Sequence, residues 1–191
     1  MSTTEARVTV RSTAVRTWAL LAWVALGAAT GVLAILPGDG EGLTSMQPTT
    51  VIGIAVLGYL AAAVAGRRWV GWVGAWTFAV LVVLAGLLDV PRTIVFVTSG
   101  VILTGIGLVL RPRLTVPQAL AAAGYLGVAL VALLLAPRVG LAIAGLALAT
   151  HVVWDVIHFR RDAVVNRSLA LWCIGLDLVV GGACVVAAVA G

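Results

Sequence analysis

Lysine is absent from this 191-residue chain, so all 12 basic residues are arginine. That absence excludes a retinal protein, whose Schiff base needs a lysine amine. Charge of either sign is scarce. Only 10% of residues are charged and 62% are hydrophobic, against roughly 25% and 45–50% in a soluble globular domain. A soluble fold of this length could not cover so much apolar surface, so the bilayer has to be the solvent. Histidine occurs only twice, at His151 and His158, which excludes a zinc centre of three histidines. The two cysteines, Cys173 and Cys184, share the last apolar run. Eleven residues of helix hold them roughly 16 Å apart, and a disulfide needs Cα atoms within about 7 Å. No phosphate-binding glycine loop, GxSxG, CxxC or HExxH is present. Soluble nucleotide-dependent chemistry therefore has no support.

What remains is apolar run after apolar run. Residues 1–16 form a short polar tail with Arg7, Arg11 and Arg16. Residues 17–191 then read as one all-α transmembrane domain with spans at about 17–36, 50–66, 69–88, 93–110, 118–136, 139–159 and 168–190. Each is close to the 20 or so apolar residues that cross a hydrocarbon core of roughly 30 Å. The first exceeds the roughly 7–15 residues of a signal-peptide core, so it reads as a retained span. Pro37 to Pro48 is the one substantial loop, with Asp39 and Glu41; Ser168 is the expected cap of the last span.

The net charge of +5 sits in scattered loop arginines, which is the pattern of membrane topology and not of nucleic-acid binding. The tail and the loops after spans two, four and six hold ten arginines, and the alternate loops hold Arg92 and Arg138. The bias predicts a seven-helix bundle with its N-terminus in the cytoplasm and its C-terminus outside. The exclusive use of arginine, with the richness in Ala, Val, Gly and Leu, points to the cytoplasmic membrane of a GC-rich bacterium. The expected partner is the lipid bilayer, with a lipid or an ion as substrate. Small helices rich in Ala and Gly often assemble further, and no motif fixes a symmetry. Gly27 and Gly31 form a GxxxG whose expected role is ordinary helix packing. Asp89 and Arg92 are expected to pair at the outer end of span three.

Ionisable residues inside spans cost about 2.5–3.5 kcal/mol each at a helix centre and usually face the protein interior. Here they concentrate in His151, Asp155 and His158 of span six and Asp177 of span seven. At about 100° per residue, Asp155 lies about 40° from His151, and His158 about 20° to the other side. The three therefore project from one narrow face. Cys173 and Asp177 lie on a matching stripe of span seven, with Asn166 in line before it. His151 and Asp177 both fall roughly 12–14 Å from the cytoplasmic ends of their helices, so they are expected to touch. Trp154 is placed to offer its indole N–H to Asp155.

Several chemistries suit that set. His151, Asp155, His158 and Asp177 could ligate Zn or Fe, with Asp155 and Asp177 as catalytic groups of an enzyme acting on a lipid. Asp177 could instead carry a proton in a small transporter, with His151 as its relay. Arg160, Arg161, Asn166 and Arg167 could hold an anionic head group at the cytoplasmic surface. The structural alternative is that the cluster only fixes helix packing, in this chain or beside a partner subunit.

Overall fold

A computed structural model of the chain describes residues 3–36, 44 and 46–190. Among them there are seven helices and no strand: α1 (Thr3–Ile35), α2 (Met46–Ala65), α3 (Val70–Leu87), α4 (Arg92–Leu110), α5 (Pro112–Leu134), α6 (Pro137–Arg161) and α7 (Arg167–Ala190). All seven are long and apolar enough to cross a membrane. Asp39 and Glu41 of the expected loop lie outside the described residues, as do the side chains of Arg7, Arg11 and Arg16, and the end of that loop, Met46 to Pro48, belongs to α2.

The helices extend beyond the apolar runs for identifiable reasons. α1 continues back through the polar residues to Thr3. α2 takes in Pro48 in its first turn, where a missing N–H costs nothing. α5 starts six residues ahead of its expected span, with Pro112 at its first position and Pro117 inside. Pro117 removes only the one bond that its N–H would make to the Arg113 carbonyl, near the end of the helix.

α2 is the central helix and packs on α3, α4, α5, α6 and α7. Leu57 and Leu60 of α2, Leu148 of α6 and Val180 of α7 are fully buried. In a hydrocarbon solvent such side chains gain little by leaving lipid, so close approach of small residues has to hold the helices together. α6 packs on α7 in this way. A Cβ on Gly145 would stand 2.9 Å from the Gly181 carbonyl oxygen, and one on Gly181 would stand 3.0 Å from that of Gly145. α1 seats on α7 more tightly still. A Cβ on Gly27 would overlap the Trp172 carbonyl, and one on Gly175 would overlap that of Val24. Gly31 faces α7 as well, so the GxxxG serves packing, as expected.

The arginine-bearing connections share one end of the bundle. Arg68, after α2, donates to the Asp162 carbonyl at 2.8 Å and pairs with the Asp162 carboxylate beyond α6. Gly66, beside Arg68, lies against the Arg111 side chain that precedes α5. The opposite end holds Arg92, which donates to Thr50 at 2.8 Å. That bond replaces the expected Asp89–Arg92 pair. Asp89 follows α3 in a left-handed conformation, φ 53°, while Arg92 begins α4 and reaches across to α2.

Candidate functional site

The turn between α6 and α7 sets the register of the polar stripes. α6 closes on Asp162 in the left-handed conformation, φ 47° and ψ 43°, which a short polar side chain tolerates. Val164 then takes φ 70°, and the Val165 N–H donates to the Ala163 carbonyl at 2.9 Å. This is a tight three-residue turn of the strained kind. Asp162 holds it from outside, because its carboxylate also lies 3.3 Å from Arg167 Nε. The hydrogen bond from Arg68, and then the charge of Arg167, hold the Asp162 carboxyl below the usual carboxylate range. Ser168 does not act as the cap of α7, which begins at Arg167. Its hydroxyl accepts the Trp72 indole N–H at 3.0 Å, fastening α7 to α3.

Beyond this turn the two stripes meet. His151, Asp155 and Asp177 are all completely buried. His151 Nδ1 lies 2.8 Å from Asp177 Oδ2 and 3.4 Å from Asp155 Oδ2. A single imidazole nitrogen thus faces two carboxylates from two helices. The expected contact between His151 and Asp177 is present.

Two tyrosines complete the site, and they are the only two in the chain. Tyr59, from α2, donates its hydroxyl to Asp155 Oδ1 at 2.6 Å. Its ring lies edge-on to His151 at 5.9 Å and to His158 at 5.0 Å between centroids. Tyr125, from α5, lies edge-on to His151 at 5.2 Å. The tyrosine hydroxyl therefore takes the role expected of the Trp154 indole, and the Trp154 ring packs on His158 instead, at 4.7 Å.

His158 stands apart from the three. Its Nδ1 lies 2.8 Å from the Trp154 carbonyl, and its Nε2 lies 3.0 Å from Gln118 Nε2. A carbonyl can only accept, so Nδ1 carries the proton and Nε2 accepts from the Gln118 amide. Both ring nitrogens of His158 are occupied.

The three-residue group is different. His151 Nε2, Asp155 Oδ2 and Asp177 Oδ1 have no hydrogen-bond partner. One ligand atom from each of His151, Asp155 and Asp177 can be chosen so that all lie within 4.8 Å of one another. Donors about 2.0–2.2 Å from a tetrahedral ion stand about 3.3–3.6 Å apart. The 3.4 Å contact matches that spacing, and the 2.8 Å contact would have to open by some tenths of an ångström.

Other expected residues lie around this centre. Cys173 and Cys184 are both free and buried. Cys173 shares with Tyr59 and Asp177 the wall of a cavity of about 220 Å³. Of the proposed head-group residues, Arg167 is engaged with Asp162 and lies over the Phe159 ring at 5.5 Å. Asn166 uses its carbonyl to start α7. Arg160 and Arg161 are exposed and have no ion-pair partner among the described residues.

No protein family, curated protein or solved structure matches this chain, so its function has to be read from the centre's own geometry.

Proposed function

We propose that the chain is a multi-pass membrane protein whose His151, Asp155 and Asp177 hold one divalent metal ion, Zn or Fe, for chemistry on a lipid. The observation that carries this reading is the convergence of three fully buried donors within 4.8 Å, each with an unpartnered polar atom. Two buried carboxylates without compensating charge would cost several kcal/mol each. A dication beside a neutral imidazole cancels both. Three protein ligands leave a further coordination position open, as in catalytic sites. A metal there would polarise a substrate oxygen or activate a water. Within the chain, the Tyr59 hydroxyl would orient Asp155.

The proposed orientation puts the arginine-bearing end in the cytoplasm, following the positive-inside bias, in a cytoplasmic membrane. Arg160 and Arg161 would then meet anionic head groups.

Elemental analysis of chelator-free, detergent-purified protein tests the metal reading. About one equivalent of Zn or Fe is expected in the wild type and a large loss in His151→Ala and Asp177→Asn. Wild-type protein that stays metal-free after incubation with either ion would overturn it.

One observation favours a second reading. His151 Nδ1 between two carboxylates could pass a proton from one to the other, and two protons balance the charge as well as a dication does. Transport would then show as proton flux in proteoliposomes that Asp177→Asn abolishes while leaving the fold intact.

A further inference from the structure

The cavity beside Asp177 lies between α1, α2, α3 and α7, with Tyr59, Cys173 and Asp177 on its inner wall. Its lining runs from Trp72 and Leu169, near the starts of α3 and α7, to Ala79 of α3 and Asp177 of α7. Thr30 and Ala34 line it from α1, and Trp76 and Ala79 line it from α3, all within segments of membrane-crossing length.

The mouth of this chamber follows from which helices touch. α1 packs on α7, and α3 packs on α2 and α4, but among the described residues α1 and α3 do not pack along each other. They meet through one ring pair, Trp23 and Trp72, at 5.6 Å. Trp72 meets Trp172 of α7 at 5.5 Å. Trp72 and Trp172 both line the chamber. Trp172 is half-buried, whereas Trp18 and Trp69 are exposed at 71% and 55%. Beyond the indoles, α1 and α3 flank an opening whose rim includes Trp76, exposed at 67%. Both flanking helices are of membrane-crossing length, so in a bilayer an opening between them faces lipid.

We infer that this chamber takes a single hydrocarbon chain of a membrane lipid, entering sideways between α1 and α3 to lie against Tyr59, Cys173 and Asp177. The inference names the substrate class for the metal centre and so rests on that proposal. The energetics differ from binding out of water, because the chain leaves one apolar medium for another. An empty chamber leaves its lining without dispersion contacts on one side, and a chain restores them. Water is a poor competitor, because a buried water needs two to four polar partners and the walls are almost wholly apolar side chains. An engineered apolar cavity of about 150 Å³ takes up benzene, so this one of about 220 Å³ holds a segment of the chain, with the rest of it left in lipid outside the mouth. The unpartnered Asp177 Oδ1 belongs to the residue that joins this wall to the metal centre.

The test uses full-length protein in phosphatidylglycerol nanodiscs with palmitic acid carrying a mid-chain diazirine, cross-linked by light and mapped by peptide mass spectrometry. Labelling is expected to concentrate on Trp72, Trp76, Trp172 and their neighbours. Ala79→Phe and Ala34→Phe narrow the mouth from opposite sides, and labelling at these sites should fall by about tenfold in either, equivalent to about 1.4 kcal/mol. Label spread evenly over the outer faces of all seven helices would overturn the inference. So would label that persists undiminished in both variants. If neither variant folds, the wild-type map alone decides between concentrated and even labelling. Metal content is measured on the same samples. A metal-free protein that still labels the chamber refutes the metal proposal alone, and a metal-loaded protein with even labelling refutes the chamber alone.

Discussion

The Tyr59 hydroxyl donates to Asp155 Oδ1 across 2.6 Å and 96 positions of sequence, tying the central helix to the polar face of α6. Tyr59→Phe keeps the ring and orphans a buried carboxylate oxygen, at a cost of about 1–3 kcal/mol. A lowered unfolding temperature in detergent is expected. An unchanged midpoint would mean that the bond contributes nothing net.

The two histidines should separate cleanly under substitution. His158→Ala breaks bonds to Gln118 and to the Trp154 carbonyl but removes none of the three proposed ligands, so about one equivalent of metal should remain. His151→Ala should lose it. Equal loss in both would return His158 to the ligand set.

The Asp162 carboxyl, lowered by Arg68 and Arg167, gives the α6–α7 turn a pH dependence of known sign. A depressed folded value means stabilisation present above the unfolded value of about 3.9, lost as pH falls through the folded one. Wild-type thermal stability should therefore drop more steeply than that of Asp162→Asn as pH is lowered from neutrality through that range. The pair is exposed to solvent, so salt should flatten the difference. Parallel pH curves for the two proteins would remove Asp162 as the cause.

Two adjacent valines in the same turn should respond unequally to glycine. Val164 sits at φ 70°, where a β-branched residue is strained by about 1–3 kcal/mol. Val164→Gly relieves that strain and should cost less than about 1 kcal/mol. Val165 is buried at 1% exposure against Leu169 and Ala170, so Val165→Gly should cost at least about 2 kcal/mol. Chemical denaturation of both variants decides it.

The helices were legible because each apolar run ends at a charged residue, proline or glycine, and a span-length run has one stable form in hydrocarbon. Their ends were less so, since Pro48, Pro112 and Pro117 look like breaks and are absorbed by helix starts. His151, Asp155 and Asp177 were legible from angular spacing and equal depth, which need only helix geometry. His158 shares the angle, but its nitrogens go to a carbonyl on its own helix and to Gln118, a partner no local pattern names. Tyr59 and Tyr125 went unread for the same reason. The available signal was that the chain's only two tyrosines stand inside apolar runs, away from the ends where an aromatic belt would put them. The Asp89–Arg92 pair failed because spacing along the sequence ignores the turn that separates α3 from α4.

The seating of α1 on α7 also orders biogenesis. α1 is synthesised ahead of the other six helices, yet among the described residues its one extensive neighbour is the last to emerge. Until α7 leaves the translocon, α1 has no groove for Gly27 and Gly31 and must wait in lipid. Docking of α1 on α7 therefore comes late, and it also completes the wall of the cavity that Asp177 shares.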